Sequence, residues 1–327
     1  MTKNGPKKHR ILLGGLAAGL SILASGAPVP TVAAERAGLN LGATSFFDGF
    51  AGVAPGCTLI AYVGHETIKT LTGPDGGKIA DAHLDADYLV PQLACNSSLK
   101  LFGGTLGWNT IVPVTNASSD TSFLATNGAG LGDIVTGPYI QFAPMMRGGR
   151  PVFSQGFEFD FITPSGKYSA ALPINPGNDY WSLVPVWKAT WLPAPSWEVS
   201  WRFNYIYNFD HGSNPNVAGP LDATVKRNGD GVWLNFTASR EIFKDLYFGL
   251  NGCWLKQVTN DKGVNGALAN TQQESLYMGP GLHYTFDPTN IVNVNLYLPV
   301  YDANALSGGF RLNLQYVHPL NQGIAQK

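Results

Sequence analysis

The sequence predicts an all-β protein: a transmembrane antiparallel β-barrel of about 12 strands, with short turns at one end and long loops at the other. Three observations predict it. In the segment SWEVSWRFNYIYNFD, residues 196–210, Trp197, Val199, Trp201, Phe203, Tyr205, Tyr207 and Phe209 share one parity. The other parity carries Glu198, Ser200, Arg202, Asn204, Asn208 and Asp210, with Ile206 the exception. That is a strand with one apolar and one polar face, and it outruns the usual strand of about 5 to 6 residues. Segments of the same kind recur through the chain. The gaps between them alternate long and short, which a soluble sandwich has no reason to do and a barrel with unequal ends requires.

Composition agrees. The 327 residues are 44% hydrophobic, 12% aromatic and only 13% charged, with 39 Gly and 22 Pro, the mixture of many turns between aromatic-rich strands. Lys3, Lys7, Lys8 and Arg10 open the chain with no acidic partner before residue 35. Without those four the count is 17 Lys and Arg against 22 Asp and Glu, a net charge of about −5, which argues against a nucleic-acid partner.

In chain order, residues 1–34 read as a signal peptide: a basic start, the apolar run Ile11–Ala24, and Val32 and Ala34 at the small-residue positions of a cleavage site. The alternative, a transmembrane anchor, suits a longer run without the glycines and the following prolines. Export from a bacterial cytosol follows, with the outer membrane as destination. Residues 35–56 hold Phe46, Phe47 and Phe50 among Gly and Ala, too irregular for a strand. This segment either folds into the lumen as a plug or lies disordered below it. The barrel is assigned to 57–318 and a tail to 319–327.

Twelve candidate strands fill the barrel: 57–68, 80–95, 100–114, 132–143, 152–162, 181–192, 197–210, 231–243, 246–258, 275–287, 291–301 and 309–318. Long polar gaps fall at 69–79, 115–131, 163–180, 211–230 and 259–274. Interleaved with them are short ones, NSSL (96–99), PMMRGGR (144–150), PAPS (193–196), KD (244–245) and DPTN (287–290). At about 3.3 Å per residue, 10 to 13 tilted residues cross the 25 Å apolar band of a membrane. Phe157, Phe159 and Phe161 then face lipid while Glu158 and Asp160 face the lumen. By the same parity Lys188, Glu198, Arg202, His283 and Arg311 line the interior. These charges either pair with one another and close the lumen or set what passes through it.

Several ordered motifs resemble one family. GLGDIVTGPYIQF (130–142), FEFDFITPSGKYS (157–169), NPGNDYWSLVPVWKATWLPAPSWEVSWRFNYIYNF (175–209), FGLNGCWLKQVTND (248–261) and ESLYMGPGLHYTF (274–286) together resemble the outer-membrane proteins of meta-pathway phenol degradation. The resemblance implies a barrel that admits small hydrophobic or aromatic compounds, much as long-chain fatty-acid transporters do. It brings no functional residues with it. The chain departs from many barrels in its last residues, PLNQGIAQK, which follow His318 where an aromatic usually ends the protein.

Catalytic and metal motifs are not found. NGAGLGD (127–133) lacks dinucleotide-fingerprint spacing and opens a strand, the six His are scattered without metal-ligand spacing, and there is no G-x-S-x-G elbow. His283 reads as a solvated lining residue rather than a base. No cofactor is expected, and the partners expected are outer-membrane lipid and a small hydrophobic or aromatic ligand. The alternatives are a non-conducting structural or adhesive barrel, a lipid-acting outer-membrane enzyme, and a soluble β-sandwich. The three Cys allow one internal pair. A hairpin centred on Gly76 sets Cys57 opposite Cys95, Leu59 opposite Leu93, Ala61 opposite Pro91 and Val63 opposite Leu89, so a Cys57–Cys95 bridge is expected beside the alternative of three small unpaired residues.

Overall fold

The computed structural model describes residues 39–212, 225–263 and 265–320. The expected signal peptide, and the tail beyond Leu320, lie outside the described residues. Twelve strands form the wall: β1 (Gly56–Thr72), β2 (Lys78–Leu101), β3 (Gly104–Ile111, resuming as Val114–Ser119), β4 (Gly130–Leu131, then Val135–Gln141) and β5 (Arg150–Ile162). β6 (Ser182–Trp191), β7 (Trp197–Asn208), β8 (Gly231–Phe243), β9 (Leu246–Gln257), β10 (Glu274–Asp287), β11 (Asn290–Ala303) and β12 (Arg311–Pro319) complete it. Each pairs antiparallel with its sequence neighbour, and β1 pairs with β12 from Thr58↔Pro319 to Glu66↔Arg311, which closes the sheet. Closure removes the exposed edges that an open sheet would present to lipid.

Side-chain exposure follows the pleat. Along β7 the residues alternate without a break, Glu198, Ser200, Arg202, Asn204, Ile206 and Asn208 buried and Trp197, Val199, Trp201, Phe203, Tyr205 and Tyr207 turned outward. The outward set continues around the wall with Val63, Leu89, Phe157, Phe159, Leu250 and Leu314. A belt of this kind is stable against hydrocarbon and not against water. On the β1–β2 hairpin its outer limit is visible, since the lipid-side pair Val63↔Leu89 is followed by His65↔Asp87, whose side chains meet at 2.8 Å.

Loop lengths deviate from expectation in three places. NSSL is not a turn: β2 runs on through a bulge to Leu101, and the chain reverses at Phe102–Gly103, both at positive φ (51° and 84°). The gap at 69–79 shrinks to a turn of 73–77, because β1 and β2 continue as a projecting hairpin. Gly76 takes φ 77° there, and Asp75 Oδ1 accepts the Gly77 N–H at 3.1 Å. PMMRGGR is itself a small hairpin in which Met145–Arg147 pairs back onto β5. The wall extends one residue beyond 57–318 at each end, to Gly56 and Pro319.

Candidate functional site

The lumen is filled by the chain's own N-terminal segment. From Leu39 to Pro55 the backbone has no regular structure, so its polar groups need partners from the wall. Gly42 N–H donates to Asn235 Oδ1 (2.9 Å), Phe47 N–H to Glu198 Oε1 (3.0 Å) and Gly49 N–H to Thr190 Oγ1 (2.9 Å). In return, Arg311 donates to the Leu41 carbonyl (2.8 Å), Asn313 to that of Gly42 (2.9 Å), Gln141 to that of Gly49 (3.0 Å) and Thr105 to that of Val53 (2.8 Å). The segment is thus held from opposite sides of the barrel. At Gly49 it touches the wall itself: a Cβ there would stand 2.2 Å from the Thr190 nitrogen.

The buried charges meet the segment at Asp48. Arg202 donates through Nε and Nη2 to the two Asp48 oxygens (2.8 and 3.1 Å), and through Nη1 to Glu158 (2.6 Å). Glu158 also faces Lys188 Nζ at 2.6 Å. Arg202 therefore bridges wall and segment with the planar two-pronged geometry that Arg–carboxylate pairs favour. Asp160, next on the same face, accepts from Asn109 Nδ2 at 2.9 Å. Arg311 pairs with Glu66 at 2.8 Å in a second, separate cluster. Glu198, fully buried, accepts hydrogen bonds from Ser200, Ser239 and the Phe47 N–H.

Phe46 and Phe47 lie beside His283, with ring centroids 5.7 and 4.9 Å away, and Phe50 packs edge-on to Phe47. His283 is not the solvated residue expected. It is buried, in hydrogen-bond contact with Asn293 (2.7 Å) and Thr285 (3.1 Å) and covered by these rings, because the segment occupies the space in which water would have reached it.

Toward the long-loop end the interior becomes apolar. Val135, Ile162, Val184, Val186, Ile206, Trp233, Leu255, Tyr277 and Tyr297 form a cluster around Leu41. The mouth above is narrowed by the loops: Leu124 and Ile174 pack onto Ile68, Leu71, Leu84 and Leu306, and a bridge joins Thr126 to Ile174. At the short-turn end the Sγ atoms of Cys57 and Cys95 are joined at 2.09 Å, beside the point where the segment leaves the lumen and becomes β1. The β1–β2 register runs through Cys57↔Cys95, Leu59↔Leu93, Ala61↔Pro91 and Val63↔Leu89.

Of the residues expected inside, Glu158, Lys188 and Arg202 come together, Asp160 stands beside them, and Glu198, His283 and Arg311 each bind the segment or its rings elsewhere. Sequence reading missed Asp48, Thr190, Asn235 and Tyr297. For Asp48 a signal existed: it is the only charged residue between Arg36 and Glu66, set among small residues. Among the described residues no group of His, Cys, Asp and Glu has the arrangement of a metal site.

No curated protein matches the chain. Among solved structures, an outer-membrane channel from Pseudomonas putida F1 superposes with a TM-score of 0.69 at 16% identity, over 84% of this chain and 98% of that one. The monoaromatic hydrocarbon channel TodX gives 0.48 at 11% identity, over 84% and 92%. Of these two, the first is similar enough to speak for the fold, and it shares the closed antiparallel barrel. Residues 69–315, well over half of the sequence, match the model of the family described as "Putative MetA-pathway of phenol degradation", and the chain belongs to that family.

Proposed function

We propose that the protein is an outer-membrane channel that passively admits small hydrophobic or aromatic compounds, and that residues 39–55 are its gate. One observation carries the reading: a single irregular segment occupies the lumen, is latched to the wall through Asp48 and Arg202, and fills an apolar cluster of the wall with Leu41. The apolar wall residues that the segment covers suit a small apolar ligand arriving through the loops once Leu41 withdraws, since burying such a ligand releases about 25 cal/mol per Å² of apolar surface. The polar layer beneath suits a gate, because each of its contacts can be exchanged for water when the segment moves.

The lumen reads as a conduit and not as an enzyme. Its buried carboxylates are engaged by Arg202, Lys188, Arg311, Asn109, serine hydroxyls and the segment, and His283 is held by Asn293 and Thr285 beneath the Phe46 and Phe47 rings. The same filled lumen favours a second reading, a barrel permanently closed and purely structural. Uptake of radiolabelled toluene at limiting external concentration, by cells with and without the chain in their outer membrane, separates the two. Faster uptake with the chain supports the channel, and equal rates support the structural barrel.

A further inference from the structure

The apolar cluster around Leu41 contains one hydroxyl that the fold leaves unused. Tyr297, fully buried on the lumen face of β11, has a hydroxyl with no hydrogen-bond partner among the described residues. Leaving a buried hydroxyl unmade is unfavourable by about 1–3 kcal/mol, so such groups call for an explanation. Its surroundings supply one. The ring lies against Gly42, where a Cβ would come within 2.7 Å of it, and it shares a cluster with Leu41, Trp233, Leu255 and Tyr277. The residue before Leu41 makes a polar contact with the same cluster: Asn40 Oδ1 accepts the Trp233 indole N–H at 2.8 Å, and Asn235 Nδ2 donates to the Asn40 carbonyl at 2.8 Å.

We infer that residues 39–42 occupy a ligand site and stand in for the ligand, Leu41 filling the apolar space and Asn40 holding the Trp233 donor. When the segment withdraws, what it uncovers is an apolar chamber with aromatic walls, an indole N–H and the Tyr297 hydroxyl. Three or four apolar side chains around two hydroxyl-reading groups select a small aromatic ring that carries a hydroxyl over the same ring with a methyl in its place. Gly42 is the residue that lets the segment lie flat on Tyr297 in the closed state. This assignment rests on the channel reading above and adds to it the ligand's polar substituent and the residue that reads it.

The test is equilibrium dialysis of the full chain in detergent against matched protein-free micelles, with radiolabelled phenol and radiolabelled toluene. The wild type retains phenol more tightly than toluene. Tyr297→Phe loses about tenfold in phenol affinity, the worth of one hydrogen bond of about 1.4 kcal/mol, and keeps its toluene affinity. Because the hydroxyl it removes is unsatisfied, Tyr297→Phe melts no lower than the wild type. Asn40→Ala weakens the stand-in and raises retention of both ligands. Equal losses for phenol and toluene in Tyr297→Phe, a lowered melting midpoint, or unchanged retention in Asn40→Ala would each overturn the assignment while leaving the channel reading in place. Absence of saturable retention of either compound by the wild type would likewise overturn the assignment, while the uptake measurement above decides the channel reading separately.

Discussion

Asp48→Asn loosens the latch without dismantling the wall. In the wild type Arg202 binds both Asp48 oxygens, at 2.8 and 3.1 Å, with the two side chains almost fully buried. Removing one partner of a buried pair costs about 3–5 kcal/mol when the remaining charge is stranded. Here it is not stranded, because Arg202 keeps Glu158 at 2.6 Å and Asn retains one acceptor oxygen. The loss is therefore about 2–4 kcal/mol, and it falls on the docked segment rather than on the barrel. In the equilibrium between docked and withdrawn segment this amounts to about 30- to 700-fold. Single-channel recording in planar bilayers reads that ratio as open probability, with heat-modifiable migration as the control for an intact barrel. An Asp48→Asn protein that migrates like the wild type and opens no more often would refute the latch.

Three further outcomes follow from the same geometry. Gly49→Ala places a methyl against the β6 backbone, 2.2 Å from the Thr190 nitrogen, so it should unseat the segment by sterics alone and raise open probability with all charges unchanged. Leu250→Arg, mid-strand on the lipid face, should cost about 2–4 kcal/mol of barrel stability in urea, whereas Val258→Arg, one residue past the outer end of the same strand, should cost about 1 or less; equal midpoints would contradict the membrane placement. Asp133, in the loop before the long part of β4, accepts the Gly166 and Asn178 N–H groups at 2.9 and 2.7 Å, yet burial outweighs them and pushes its carboxyl up to about 6. An unfolded Asp releases its proton first, near pH 4, so the loops lose stability as pH rises from about 4 to 6 and stay weakened above that. Proteolysis at residues 163–178 should be faster at pH 7.5 than at pH 4.5, and Asp133→Asn should flatten the difference.

The wall was legible in the sequence because a pleat projects every second side chain to one face, so Trp197 to Tyr207 and Glu198 to Asn208 separate on inspection. The β1–β2 register was legible for a related reason: Gly76 marks the reversal, and one apolar parity survives only in one alignment. Phe102 at positive φ carries no such mark, while the neighbouring NSS resembles a turn, and so the end of β2 was misplaced. Interior facing was readable for Glu158, Lys188 and Arg202 from parity alone. The partner that Arg202 finds on the segment was not, because Asp48 lies 154 positions away on a stretch without periodicity, and its path is decided by wall groups such as Asn235, Asn313 and Arg311. His283 shows the consequence: its parity was read correctly and its solvation was not, since two Phe rings of that segment cover it.

The central claim is that the segment in the lumen must move for a ligand to pass. Ser45 and Asn295, joined by a 2.9 Å hydrogen bond, offer a place to staple it. Toluene uptake at limiting concentration would be measured in cells carrying Ser45→Cys with Asn295→Cys, oxidised and then reduced, beside wild-type cells treated alike. The account predicts that the oxidised staple lowers uptake to the level of cells without the chain and that reduction restores it. Uptake undiminished by a fully formed staple would contradict it.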